Sequence, residues 1–256
     1  MSGTPETLFR LDGRAAIVTG ASSGLGVAFA RQLAAAGARV AVVARRTALL
    51  ERTVADIEKD GGTALAVTAD VRDPGQCRAA VARAHDRLEG LDILVNNAGV
   101  ATAVPAVRET PDEFRAVVDL NLCGAYWMAQ ASAAVMPSGS SIINISSVLA
   151  LTTAALPQAA YTASKAALLG LTRDLAQQWG PRRGIRVNAI APGFVQTEMT
   201  DGYRPGYVET VITPRILLGR FGSAGEIASV GVWLASPAAG YVTGQTIVVD
   251  GGMTIT

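Results

Sequence analysis

The chain has almost none of the residues that build metal centres or disulfide frameworks. Its 256 residues include two cysteines and one histidine. Cys77 and Cys123 belong to no CxxC or Cys/His pattern. They read as free thiols, and neither a zinc site nor a disulfide is expected. His85 falls on a predicted surface helix far from every motif, so no metal is assigned to it. An excess of either charge is also missing. Lys and Arg total 22 against 21 Asp and Glu, with no basic run beyond short pairs. Nucleic acid is therefore not expected as a partner. No apolar run approaches the ~18 residues a membrane span needs. Residues 1–11 carry no apolar signal core, so a cytoplasmic location is expected.

What the chain does have is apolar bulk in short pieces. Half of its residues are hydrophobic, enough for a large core. Residues 15–19, 39–44, 65–68, 93–95, 141–145, 185–190 and 246–249 read as buried parallel strands. Helical patterns alternate with them over 25–36, 47–59, 74–88, 112–136, 161–179 and 225–234. Such alternation predicts an α/β fold, a doubly wound parallel sheet of about seven strands with helices on both faces. No linker or repeat divides the chain, so 1–256 is expected to be a single Rossmann-fold domain. The least regular stretch, 196–220, is rich in Gly, Pro and Tyr. A loop of that length in a compact domain is often functional.

Two motifs carry chemistry. Directly after the first strand comes Thr19-Gly-Ala-Ser-Ser-Gly-Leu-Gly26. Glycines at a strand–helix junction let the backbone approach a pyrophosphate, and the helix start offers free N–H groups and a positive dipole end. Further on, Tyr161 and Lys165 stand four apart on a helix, which puts both side chains on one face. Neither is a good acid or base at neutral pH alone. An ammonium beside a phenol favours phenolate, so the pair can give a proton to a ketone oxygen or take one from an alcohol.

In these two motifs and those that follow, the chain resembles the short-chain dehydrogenase/reductase family over about residues 11–252. The family's Thr-Gly-x-x-x-Gly-x-Gly is met by Thr19, Gly20, Gly24 and Gly26. Its Asn-Asn-Ala-Gly is Asn96-Asn97-Ala98-Gly99, its helix asparagine is Asn121, and its serine is Ser147. Tyr161 and Lys165 supply Tyr-x-x-x-Lys, and Pro192-Gly193 with Thr197 supply the Pro-Gly segment. The resemblance implies Asn121, Ser147, Tyr161 and Lys165 as the catalytic set. Tyr161 would exchange the proton, Lys165 would lower its pKa and bond the nicotinamide ribose, Ser147 would hold the substrate oxygen, and Asn121 would anchor a relay water. It also implies that Gly20, Ser22, Ser23, Gly24, Leu25, Gly26, Asp70, Val71, Asn97, Ala98, Gly99, Pro192, Gly193, Val195 and Thr197 line the cofactor. Asp70 would meet the adenine amino group; otherwise it caps the next helix. One departure stands out. Ser147 and Tyr161 lie fourteen positions apart, one more than in many relatives, and the extra residue is assigned to 151–158.

An NAD enzyme carries an acid at the end of the second strand to hold the ribose hydroxyls. Here that position is Ala44, followed by Arg45 and Arg46. A 2′-phosphate gains from a guanidinium fork, so NADP(H) is favoured over NAD(H). The expected substrate is a small carbonyl compound or secondary alcohol, with an apolar wall drawn from Val104, Leu149, Leu151, Leu156, Phe194, Met199 and Tyr203. Residues 196–220, with Tyr203, Pro205 and Tyr207, resemble a closing lid. Reduction of 3-oxoacyl groups on an acyl carrier protein is one alternative. It calls for a basic docking face, and residues 136–141 are short and uncharged. Sugar or polyol oxidation is another and calls for a polar pocket. A non-catalytic dinucleotide sensor is the alternative of a different class. The family usually forms tetramers, which implies a homotetramer.

Overall fold

The computed structural model describes residues 4–196 and 206–256. The strands are β1 (Ala15–Thr19), β2 (Arg39–Ala44), β3 (Thr63–Thr68), β4 (Ile93–Asn96), β5 (Ser141–Ile145), β6 (Arg186–Pro192) and β7 (Thr246–Val249). They form one seven-stranded sheet in the order β3-β2-β1-β4-β5-β6-β7. Every pairing is parallel. The predicted doubly wound architecture is therefore present. Strands β1, β4 and β5 are buried along their whole length, which is why their sequences are mostly apolar rather than alternating, the buried polar exceptions being Thr19, Asn96, Ser141 and Asn144.

The helices are α1 (Pro5–Leu8), α2 (Gly24–Ala35), α3 (Thr47–Lys59), α4 (Pro74–Leu88), α5 (Pro111–Val118), α6 (Gly124–Val135), α7 (Ala159–Arg183) and α8 (Ala224–Ala235). They cover the sheet from two sides. Phe29 and Leu33 of α2, Leu50 of α3 and Ile227 of α8 pack on one face. Val81 of α4, Met128 of α6 and Leu175 of α7 pack on the other. Helices α2 and α8 meet closely because Gly231 leaves room for Phe29; a Cβ there would lie 2.5 Å from the ring. The strand order reverses direction between β1 and β4, the point where α/β sheets open a crevice at their carboxyl ends.

The helix expected over 112–136 is not uniform. It starts cleanly at Thr110, whose side chain and that of Glu113 form a capping box, with Pro111 in the first turn. After Val118 it widens into a π turn, Asp119–Cys123, before continuing as α6. The turn holds Asn121, buried to 1% exposure. A π bulge inserts a residue without breaking apolar periodicity enough to be read from sequence, and such bulges cluster at functional sites. Helix α7 is longer than expected and ends at Gly184, whose φ of +64° suits a left-handed C-terminal residue.

Candidate active site

A cleft of about 340 Å³ opens at the strand-order reversal. Its floor is the turn after β1. Gly20 has φ +66°, and a Cβ there would lie 2.8 Å from Ala98 Cα. A Cβ at Gly26 would lie 2.3 Å from the Gly20 carbonyl oxygen, so this glycine is required by close approach rather than by its dihedral angles. Asn97 locks the turn: its Nδ2 donates to the carbonyl oxygens of Thr19 at 3.0 Å and Gly20 at 3.3 Å. Thr19 Oγ1 in return accepts from the backbone N–H groups of Asn97 and Ala98, both at 3.0 Å. Two motifs 78 residues apart are thus one hydrogen-bonded unit. The Nδ2 group of Asn97 is thus committed to this cradle.

The cradle fits a dinucleotide. Ser23 stands at the N-cap of α2 yet makes no side-chain cap bond, so the first N–H groups of the helix keep their capacity for an anion. Ser22, Ser23, Gly24 and Leu25 line the cleft at that point. Arg46 reaches back to the same turn, with Nη2 donating to Ser22 Oγ at 2.9 Å and Ser23 Oγ at 3.2 Å. Arg45 also lines the cleft and makes no hydrogen bond or ion pair among the described residues. Asp70 and Val71 line the far wall. Asp70 is gripped by Arg72, whose Nη2 lies 2.5 Å from Oδ2, and this pairing holds its carboxyl below the usual carboxylate range. It does not cap α4; that cap is Asp73, which accepts from the N–H groups of Gly75 and Gln76. Gly99, Pro192, Gly193 and Val195 complete the lining. Thr197 lies outside the described residues.

Helix α7 brings Tyr161 and Lys165 into the same cleft. Lys165 is 4% exposed and donates from Nζ to the Ile145 carbonyl oxygen at 2.7 Å. Burial pushes its pKa down to about 8. Its Nζ lies 5.7 Å from the Tyr161 ring centroid. The expected lowering of the phenol pKa is not found. Burial raises Tyr161 above the ordinary tyrosine value, and only the neighbouring Ser147 hydroxyl pulls it down. The reason is physical: both charged forms lose solvent, and the ammonium is turned toward a peptide carbonyl. Ser147 caps the short 3-10 turn Val148–Ala150 by accepting from Leu149 N–H at 3.1 Å. Adjacent Ser146 is occupied elsewhere, donating to the Lys165 carbonyl oxygen at 2.8 Å.

Asn121 sits beneath this group rather than in the cleft lining. Its Oδ1 accepts from Val100 N–H at 2.8 Å, and its Nδ2 donates to the Val100 carbonyl oxygen and to Ser164 Oγ, both at 3.0 Å. The side chain therefore ties the Gly99–Val100 turn to α7. Of the expected apolar wall, Leu149 and Phe194 line the cleft, joined by Val148, Leu120 and Ala101. Val104, Leu151 and Leu156 do not line it, and Met199, Tyr203 and Pro205 lie outside the described residues. The loop 151–158 is fastened to residues 207–215: Tyr207 donates to the Ala154 carbonyl oxygen, and Arg215 donates to Thr153 O and, at 3.1 Å, to Thr152 Oγ1. Ala155 there has φ +53°, a non-glycine residue in the left-handed region. Sequence reasoning missed Gln158, which lines the cleft with a buried Oε1 that has no hydrogen-bond partner. Gln158 is the N-cap residue of α7, with non-helical dihedral angles, so helical spacing from Tyr161 could not have marked it.

The sheet, cradle and Tyr–Lys helix define a dinucleotide-binding oxidoreductase. A sequence profile described as enoyl-(acyl carrier protein) reductase matches residues 20–254. The chain is similar to the galactitol 2-dehydrogenase (L-tagatose-forming) of Cereibacter sphaeroides, with 42% identity over 258 residues and 98% of each chain covered. It is similar to a 3-oxoacyl-(acyl-carrier-protein) reductase of Synechocystis, with 39% identity covering 95% of this chain and 98% of that one. It also superposes on a Burkholderia cenocepacia short-chain dehydrogenase solved in complex with NADP. That match has a TM-score of 0.90 and 36% identity, covering 95% of this chain and 99% of that one. The chain belongs to the short-chain dehydrogenase/reductase family. It is an oxidoreductase that interconverts a carbonyl and an alcohol with a nicotinamide dinucleotide.

Proposed function

We propose that this chain is an NADP(H)-dependent oxidoreductase for a small ketone or secondary alcohol, with Tyr161 as its acid and base. The convergence of Tyr161, Ser147 and the buried Lys165 in one cleft, beside the uncapped start of α2, carries this reading. The nicotinamide supplies or accepts the hydride. In reduction Tyr161 gives its phenolic proton to the carbonyl oxygen, and in oxidation it removes the hydroxyl proton. The Ser147 hydroxyl donates to the oxygen as negative charge builds there. Lys165, already charged below about pH 8, stabilises the phenolate left behind. Asn121 fixes the turn and helix that align these groups, through its bonds to Val100 and Ser164.

The NADP(H) preference rests on charge. Ala44 ends β2 with no carboxylate, and Asp70, the only acid among the described cleft residues, is neutralised by Arg72. Arg45 and Arg46 supply the guanidinium groups a 2′-phosphate needs. The names of the relatives bring polyols and carrier-bound 3-oxoacyl groups as specific alternatives. The chain acts as one domain over 1–256 and as a homotetramer. Apolar side chains exposed at Leu217, Leu218 and Ile255 support that assembly. The free thiols Cys77 and Cys123 suit the cytoplasm. Steady-state rates with NADPH and NADH at equal concentration test the cofactor assignment. NADPH is expected to win, and a strong NADH preference would sink it.

A further inference from the structure

A line of buried polar side chains crosses the apolar layer behind the cleft. Asn96 of β4, Asn144 of β5 and Thr172 of α7 are each 3% exposed or less. Asn144 Nδ2 donates to Thr172 Oγ1 at 2.9 Å, and Asn144 Oδ1 accepts from Asn96 Nδ2 at 3.0 Å. Asn96 Nδ2 also donates to the Ala125 carbonyl oxygen of α6 at 3.0 Å. Helix α6 continues directly from the π turn, where Asn121 donates to Ser164 Oγ. Ser164 Oγ in turn donates to the Tyr161 carbonyl oxygen at 2.7 Å. The line thus leaves α7 at Thr172 and returns to it at Ser164, with Lys165 between the two. Strand β5 also holds Lys165 directly: Ile145 O accepts from its Nζ, and Ser146 Oγ donates to its carbonyl oxygen. Thr172 stands about two helical turns after Lys165 and three after Tyr161, on the same face of α7.

We infer that Asn144 and Thr172 are positioning residues for the reaction: their hydrogen bond fixes α7 against β5 so that Lys165 and Tyr161 meet Ser147 in register. This rests on the oxidoreductase reading above and adds to it two residues that do not line the cleft among its described residues. Stability alone does not explain the line. Apolar groups of the same shape can replace both partners of a buried hydrogen bond at little cost. The line also carries an unrecovered cost, because Asn96 Oδ1 is buried without a partner. What hydrogen bonds add to apolar packing is a fixed direction. Proton exchange needs that, since reacting groups must be held to within about 0.5 Å.

The test separates position from stability. Thr172→Val keeps the shape and removes the hydroxyl, and Thr172→Ser keeps the hydroxyl. The double variant Asn144→Leu with Thr172→Val removes both partners, so no half of that bond stays buried and unpaired. Two readouts are taken beside thermal melting: kcat and KM for 2,3-butanedione with NADPH, and titration of the Lys165 ammonium by NMR in lysine-labelled protein. The second needs no substrate, and exposed Lys59 is the one other lysine in the sequence. In Thr172→Val and in the double variant, kcat is expected to fall about tenfold to a hundredfold while KM for NADPH stays near wild type. The Lys165 titration is expected to rise from about 8 by about one pH unit as water reaches the ammonium. Thr172→Ser is expected to restore both. Either readout left at its wild-type value in the double variant overturns the proposal. So do equal losses in Thr172→Ser and Thr172→Val that follow a lowered melting temperature, which mark a purely structural contact. If wild type reduces no carbonyl in a panel that includes 2,3-butanedione, the proposed function fails, and the titration still decides how α7 is held.

Discussion

Lys165 is an ammonium held away from water with a peptide carbonyl as its direct partner. Burial takes its pKa from an ordinary 10.5 to about 8. The native state therefore releases this proton at lower pH than the unfolded chain. Folding carries the full penalty below about pH 8, and the penalty fades as pH climbs toward 10.5, by up to ~1.4 kcal/mol per pH unit. Lys165→Met is accordingly expected to be more stable than wild type at pH 7, with the gain shrinking by pH 10. Urea unfolding of both proteins at the two pH values measures this, and an equal gain at both would show that the ammonium is not penalised. Arg46 gives a second prediction at this scale. Arg46→Ala is expected to lower kcat/KM for NADPH by about tenfold to a hundredfold, as for a lost charge-assisted hydrogen bond, and to change the NADH value little. Steady-state rates with both cofactors provide the check. At single residues the sequence was a good guide where chemistry names a residue type, as with Tyr161, Lys165 and the glycines. It was a poor guide where burial decides, because the raised Tyr161 pKa and the orphaned Gln158 oxygen arise from what surrounds them.

At the scale of elements, the glycine turn and the loop 151–158, anchored by Tyr207 and Arg215, flank the cleft. Gly26→Ala would drive a Cβ to 2.3 Å from the Gly20 carbonyl oxygen, so the turn must open. The expected result is a melting temperature lower by several degrees, as for overpacking of about 1–3 kcal/mol, together with weaker NADPH binding by fluorescence titration. Arg215 ties its own segment to the loop 151–158 through Thr152 and Thr153. Arg215→Ala is expected to raise KM for the carbonyl substrate severalfold while thermal stability stays near wild type, because one bond it loses is exposed and the other only half-buried. Element boundaries fall close to the expected ones where a local signal fixes them: α4 starts at Pro74 as expected, though its cap is Asp73 rather than Asp70, and α5 starts at Pro111, one residue before the expected 112, behind the Thr110–Glu113 capping box. The π turn at Asp119–Cys123 was not, since its cause is the packing of Asn121 against Val100 and Ser164. The loop 151–158, to which the extra residue is assigned, holds a left-handed Ala155.

For the whole molecule, the seven-stranded order puts the reversal between β1 and β4, and every proposed reacting group described here faces that crevice or braces a residue that does. The alternation of strands and helices made this architecture readable, whereas assembly depends on surfaces that one chain leaves uncovered. Light scattering is expected to report a particle of four 26.3 kDa chains. The central claim, that Tyr161 exchanges a proton with a carbonyl oxygen in an NADP(H) cleft, is tested most directly by NADPH consumption across a panel of ketones in wild type and Tyr161→Phe. The account predicts turnover by wild type and a loss of about a hundredfold to ten-thousandfold in the variant, with NADPH binding retained. A variant that keeps the wild-type rate, or a wild type that binds NADPH and reduces no ketone, would contradict it.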